Sequence, residues 1–237
     1  MPRFTFGFFI VIASGMGLAA LLPSDNAAVA QPPQTKPTDG GSYIIGLQIG
    51  SSLREGGLTA EDLQKEDFYL GVVDALKKAD PRLSEAELTA AAKQLESKMI
   101  SRMETAAKGN LATSQKFLEE NKGKDGVQTL PSGLQYLELK KGSGTQPKLT
   151  SQVKVHYEGK LINGDVFDSS IKRGEPASFA VNQVIAGWTE ALQRMRVGDK
   201  WRVFIPPELA YGTAGAGDMI GPNQALIFEV ELLDVQQ

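Results

Sequence analysis

The chain has 237 residues, 41% of them apolar and 22% charged, with a formal net charge of −3. That composition suits a soluble globular protein of one or two domains, and it carries no basic excess that would argue for nucleic acid. A single histidine and no cysteine exclude disulfides, thiolate chemistry and metal sites built on cysteine or on histidine clusters.

At the N-terminus, Arg3 precedes an almost wholly apolar stretch from Phe4 to Leu22, and Ala28-Val29-Ala30 follows as a small-x-small pattern. Positive start, apolar core and cleavage site in that order predict a secretory signal peptide over residues 1–30. The mature chain then begins near Gln31 and works beyond the inner membrane. An uncleaved membrane anchor is the alternative, because a stretch of this length can just cross a bilayer. Gly7, Ser14, Gly15 and Gly17 weaken it as a permanent span, and the absence of cysteine excludes a bacterial lipid anchor. Residues 31–41, rich in proline and glycine, read as a flexible leader.

Residues 42–125 carry helical periodicity. Tyr43, Ile45, Leu47, Ile49 and Leu53 mark a first helix that Gly56-Gly57 stop. A second helix fits Asp67 to Ala79, with Phe68, Val72, Ala75, Leu76 and Ala79 on one face and Asp67 as its cap, and Asp80-Pro81 breaks it. Ser84-Glu85-Ala86-Glu87 has the capping-box pattern of a third. No proline interrupts the run before Pro131, so this helix can continue to about Asn121, roughly 55 Å at 1.5 Å per residue. A helix that long cannot bury itself in so small a domain and suggests an arm or an oligomer contact. Gly109-Asn110 is the natural bend, and two shorter helices packed on each other are the alternative.

From residue 126 to 237 strand patterns dominate. Leu134–Leu137, Val153–Tyr157, Arg202–Ile205 and Ala225–Val235 read as strands, with one short helical pattern, Trp188 to Met195, between them. Antiparallel strands around one short helix give an α+β domain behind the all-α region.

Ordinary catalytic constellations are missing. His156 lies mid-strand, out of phase with Val155 and Tyr157, and reads as a structural or solvated residue. The run Gly212-Thr213-Ala214-Gly215-Ala216-Gly217 lacks the spacing, the lysine and the strand-then-helix setting of a phosphate loop, and reads as a mobile loop. Asp165 and Asp168 alone do not make a glycosidase. What remains is an apolar, aromatic set: Tyr157, Phe167, Val184, Ile185, Trp188, Tyr211 and Phe228. Taken singly, each is a core residue.

Their contexts change that. Val155-His156-Tyr157-Glu158-Gly159, Gly164-Asp165-Val166-Phe167-Asp168-Ser169-Ser170, Val184-Ile185-Ala186-Gly187-Trp188, Met195-Arg196-Val197-Gly198, Pro206-Pro207-Glu208-Leu209-Ala210-Tyr211-Gly212 and Leu226-Ile227-Phe228-Glu229-Val230-Glu231-Leu232 follow one another in order. Through these motifs, residues 127–237 resemble the FKBP-type (immunophilin) peptidyl-prolyl cis-trans isomerases. The resemblance implies a twisted antiparallel sheet curled around the short helix, and an apolar pocket that needs no cofactor or metal. Trp188 would form its floor, with Tyr157, Phe167, Val184, Ile185, Tyr211 and Phe228 as walls and Ile220 contributing from the flap loop. Asp168 would stand at the rim, held by Tyr157 and Arg173, and Tyr211 would offer its hydroxyl to a substrate carbonyl. Two departures would open the pocket: Ala177 stands where many members carry a second wall aromatic, and Ala216 replaces a bulky flap residue.

The front half is similar to the helical domain of the isomerases related to the macrophage infectivity potentiator. Ser42-Tyr43, Gly46, Gly50, Phe68, Gly71, Asp74-Ala75-Leu76 and Phe117-Leu118-Glu119-Glu120-Asn121 carry that likeness, with the junction Val127-Gln128-Thr129-Leu130-Pro131-Ser132-Gly133-Leu134-Gln135-Tyr136. It implies a homodimer through residues 42–125 and a periplasmic, outer-membrane or cell-surface location. The expected partners are proline-containing unfolded or partly folded proteins, with rapamycin-type macrolides as candidate inhibitors and no nucleic acid. The expected function is X-Pro isomerisation in the folding of secreted proteins. The alternative is a dimeric chaperone or binding module with little isomerase activity.

Overall fold

The computed structural model describes residues 36–236, so the expected signal peptide and the start of the leader lie outside the described residues. Three helices come first: α1 (Gly40–Glu55), α2 (Lys65–Lys77) and α3 (Glu85–Asn121). Strands β1 (Val127–Thr129), β2 (Gln135–Lys140), β3 (Gln152–Leu161) and β4 (Val166–Ser169) follow, then a single helical turn, α4 (Ser170–Arg173). The chain closes with β5 (Ala177–Ala180), α5 (Ala186–Leu192), β6 (Lys200–Ile205) and β7 (Leu226–Gln236).

Helix α3 starts where the capping box places it. The Ser84 hydroxyl accepts from the Glu87 N–H at 3.3 Å, and the Glu87 carboxylate accepts from the Ser84 N–H at 2.8 Å, so two of the orphan donors of the first turn are satisfied. It then runs for 37 residues without a break. Of the two sequence alternatives, one continuous helix is the outcome, and Gly109-Asn110 does not interrupt it. A lone glycine costs only about 1 kcal/mol in a helix whose other residues are mostly good formers. Helix α2 corrects one detail. Its cap position is Gln64, and Asp67 stands inside the first turn, where a carboxylate still meets the positive end of the helix. The helix ends at Lys77, two residues early, because Lys78 takes a left-handed backbone (φ 54°).

The connection from α1 to α2 is tied to α3 by charge. The Asp62 side chain is fully covered and pairs with Lys98 at 2.9 Å and Arg102 at 2.8 Å, while Arg102 also donates to the Gly57 carbonyl at 2.6 Å. The Thr59 backbone N–H and these two cations hold the Asp62 carboxyl well below the usual carboxylate range. No residue of α1 or α2 is buried, and the only buried residues of α3 are Ser114 and Asn121.

The sheet is antiparallel throughout, in the order β1-β2-β6-β7-β3-β4, with β5 also pairing with β3. The period-two pattern of β3 decides the inner face: Val153, Val155, Tyr157, Gly159 and Leu161 are buried and their neighbours less so. Helix α5 lies against that face and buries Trp188, Ala191 and Leu192. Among the described residues, the buried apolar core lies between Leu134 and Leu232. The short strands β1, β4 and β5 and the turn α4 were not predicted; three or four residues are too few for a periodic signal. At the junction, Asn121 donates to the Gln135 side-chain oxygen at 2.9 Å, and Gln135 donates to the Leu118 carbonyl at 2.8 Å.

Candidate active site

Inside the curl of the sheet lies a cavity of about 320 Å³. Strand β3 places Tyr157 on its wall and β4 brings Phe167 and Asp168. Phe228 comes from β7 and Trp188 from α5, with Val184 and Ile185 just before that helix and Tyr211 from the loop after β6. Trp188 is the hub. Its ring centroid lies 5.2 Å from those of Tyr157 and Phe228 and 5.6 Å from that of Phe179, with interplanar angles between 81° and 89°. Such edge-to-face pairs match the ring quadrupoles and hold a rigid box. Phe167 closes it against Phe228 in the same way, at 5.4 Å and 85°.

Gly159 makes that closure possible. A Cβ there would come within 2.6 Å of the Phe167 ring and 2.7 Å of the Phe228 ring, far inside contact distance, so only glycine lets both rings approach β3.

At the rim, Asp168 accepts from the Tyr157 hydroxyl and from the Arg173 guanidinium through its two oxygens. Arg173 also donates to the Tyr157 hydroxyl at 2.9 Å, and its guanidinium carbon sits 5.6 Å from the Tyr157 ring centroid. Partial burial pushes the Asp168 carboxyl up, but the bonds from Tyr157 and Arg173 outweigh it and hold the group below the usual carboxylate range. Burial and the neighbouring carboxylate push the Tyr157 hydroxyl the other way, above its ordinary value. The phenol therefore stays protonated and the carboxylate charged. Tyr211, 39% exposed, keeps its hydroxyl without a protein partner among the described residues.

Most of the residues expected to build the pocket are brought together here, and three, Ala177, Ile220 and Arg173, do not line it. Ala177 packs against the core opposite Val155 but does not line the cavity. The aromatic wall is supplied two residues later by Phe179, on the same face of β5, so that side of the pocket is closed and not widened. Ile220, 7% exposed, sits in the core and pairs through its backbone with Ala216, away from the cavity lining. Arg173 stands outside the lining and acts on it through Asp168 and Tyr157. Phe179 and Gln183 were missed, although Ala177-Ser178-Phe179-Ala180 has the alternation of a short strand. His156 stays out of the pocket, with Nδ1 3.1 Å from the Ser170 hydroxyl.

Comparison with known proteins agrees with this geometry. Residues 143–233 match the family described as FKBP-type peptidyl-prolyl cis-trans isomerase, and residues 38–137 match the domain amino terminal to FKBP-type peptidyl-prolyl isomerase. The chain is 46% identical over 194 residues to the FKBP-type 22 kDa peptidyl-prolyl cis-trans isomerase of Escherichia coli, covering 82% of this chain and 93% of that one. This protein belongs to the FKBP-type peptidyl-prolyl cis-trans isomerases. Within the FKBP-type family it is also 40% identical to the outer membrane protein MIP of Legionella longbeachae, over 96% of this chain and 97% of that one. The crystal structure of FkpA from Escherichia coli superposes with a TM-score of 0.64 at 36% identity, over 85% of this chain and 98% of that one.

A second, larger cavity of about 410 Å³ lies where α3 ends on the sheet, between Phe117, Phe204 and the Arg202–Glu229 ion pair. Four of its charged side chains are paired, Arg202 with Glu229 and Lys160 with Glu158 at 2.6 Å, and Lys124 lies over the Phe117 ring at 5.6 Å from its centroid.

Proposed function

We propose that this FKBP-type protein isomerises X-Pro bonds by holding the proline ring against Trp188 while Tyr211 donates to a neighbouring substrate carbonyl. The observation that carries the reading is the closed aromatic box around Trp188 with one free hydroxyl at its edge. The barrier to amide rotation is about 18–20 kcal/mol, because resonance must be broken. In the twisted transition state the carbon–nitrogen bond has lost double-bond character and the amide is less polar. A dry aromatic wall disfavours that state less than it disfavours the planar amide, which water solvates well. The difference is transition-state binding, and the Tyr211 bond adds orientation. A gain of roughly 10³–10⁵ needs about 4–7 kcal/mol. Tyr157, locked by Asp168 and Arg173, keeps the wall rigid, while Val184, Ile185, Phe167, Phe179 and Phe228 exclude water.

The same pocket would take a rapamycin-type macrolide, which competition in the assay below would reveal. The helices carry Leu47, Tyr69, Leu76, Leu88, Ile100 and Met103 between 43% and 80% exposed; a second copy covering residues 42–125 accounts for them. Residues 1–30 fit export to the periplasm, where partly folded, proline-containing chains are the substrates.

The test is the isomerisation rate of a short X-Pro peptide with wild-type protein, Tyr211→Phe and Trp188→Phe. Acceleration that falls at least tenfold in both folded variants supports the reading. A folded wild type without activity would leave a dimeric client-binding module, the second reading, which the exposed helical apolar residues favour.

A further inference from the structure

The loop from Tyr211 to Ala225 begins at the pocket and ends on α3. Asn223 joins its two ends. Its backbone lies in the left-handed region (φ 56°), uncommon for a residue other than glycine. Its N–H donates to the carbonyl of Gly212, next to Tyr211, at 2.8 Å. Its side-chain amide donates to the Ala107 carbonyl on α3 at 3.2 Å, and its own carbonyl accepts from the Ser114 hydroxyl at 2.9 Å. Ser114 in turn accepts from the Ala225 N–H at 2.8 Å, and Asn110 donates to the Pro222 carbonyl at 2.9 Å.

Apart from the Asn223–Gly212 bond, each of these reaches from α3 to residues 222–225. The tip of the loop closes on itself through reciprocal bonds between Ala216 and Ile220 at 2.7 and 3.1 Å, which fixes the tip's shape but not its place on the sheet. Its placement comes from Asn223 and α3, with one further exposed tie, the ion pair of Asp218 with Arg54 of α1 at 3.2 Å. Ser114 is 1% exposed in a helix whose only other buried residue is Asn121, and its hydroxyl is used twice, as donor and as acceptor. A buried hydroxyl gains little net stability when satisfied and costs much when left unpaired, so its presence marks a required geometry.

We propose that Asn110, Ser114 and Asn223 are positioning residues for the isomerase reaction. Helix α3 sets the place of Tyr211 through Asn223 and Gly212, so the pocket is tuned from the helical region. This rests on the role given to Tyr211 above. A displacement of the hydroxyl by a fraction of an ångström weakens the bond to the substrate carbonyl, while the apolar box still binds the proline ring. The loss therefore falls on kcat and spares KM.

The test uses the full chain and two readouts: peptide isomerisation, and amide hydrogen exchange at Asn223, Ala216 and Ile220. The variants are Asn110→Ala, Ser114→Ala and Asn223→Gly, the last keeping the left-handed backbone while deleting the bond to Ala107. Thr113→Ala is the control, because that hydroxyl bonds only the Gly109 carbonyl within the helix, at 2.9 Å. The expected result is exchange at Asn223 faster by about tenfold and kcat lower by about three- to tenfold at nearly constant KM, with Thr113→Ala unchanged. If Ser114→Ala does not fold, the half-buried Asn110 and the Asn223→Gly change carry the test. Wild-type kcat in both of these, or unchanged exchange at Asn223, would overturn the proposal. A wild type that turns over no peptide would overturn it together with the activity reading, and is recognised before any substitution is made.

Discussion

The two halves of this chain solve opposite problems. From Leu134 onward the sheet wraps α5 around a continuous apolar core in which Leu134, Val155, Met195, Ile205 and Leu226 are wholly buried. In α1 and α2 nothing is buried, and Leu76 stands 80% exposed. Each fully buried leucine or valine contributes about 1.5–3 kcal/mol, so the sheet region can hold its own fold. The helices cannot do so by burial within one copy. They are held by capping, by the Asp62–Arg102–Lys98 cluster and, in the dimer proposed above, by the second copy. The two buried side chains of α3, Ser114 and Asn121, are polar and occur where it meets the sheet region.

The largest test of this contrast is a pair of leucines. Leu192→Ala, 1% exposed in α5, should cost about 2–5 kcal/mol in chemical denaturation, because it leaves a cavity that close packing cannot refill. Leu76→Ala should leave that transition within about 0.5 kcal/mol while raising the dissociation constant of the proposed dimer in sedimentation experiments. Equal losses from both would mean that the helices are as self-contained as the sheet region.

Gly159→Ala sharpens the comparison within the sheet. Its new methyl must displace the Phe167 and Phe228 rings, so peptide isomerisation should fall by at least tenfold, with an overpacking penalty of about 1–3 kcal/mol. Retained activity would show that the two rings can move apart without cost to catalysis.

Asp168→Asn tests the rim. The Asp168 carboxyl is held below its unfolded value of about 3.9, so its stabilisation is complete above that pH and is lost as the pH falls through the folded value. With the carboxylate two-fifths exposed, the difference between wild type and variant should be at most about 1 kcal/mol. It should stay flat from neutral pH down to about 5 and shrink below 4 in urea titrations. A gap that instead grows on acidification would mean that burial, and not Tyr157 and Arg173, controls the group.

The smallest expected effect is on the helical surface. Lys116 and Glu120 are 3.9 Å apart with 77% and 63% of their side chains exposed, so Lys116→Ala should shift stability by less than about 0.5 kcal/mol. A larger, salt-sensitive shift would give surface pairs a share in holding α3 that burial does not.

Much of this was legible beforehand. Ser84 and Glu87 announce the start of α3, the unbroken run to Asn121 gives its length, and alternation marks β3, β6 and β7. The pocket set could be named because Tyr157, Trp188 and Tyr211 each sit in a distinctive string. What failed was local. Phe179 was hidden because an alternation of only four residues is too short to stand out, and the resemblance drew attention to Ala177. Ile220 was assigned to the pocket because a loop gives no sign of which side chains turn into the core. The link from Ser114 to Asn223 spans 109 residues, and no spacing rule reaches that far.

The order of the sheet has a consequence of its own. Its two ends are β1, of three residues, and β4, of four, while the ten- and eleven-residue strands β3 and β7 lie inside. Long unpaired edges are templates on which other extended chains add themselves. An isomerase working on unfolded polypeptides, as proposed above, would meet such chains constantly. With only stubs at its borders, it can release a substrate without becoming the first layer of an aggregate.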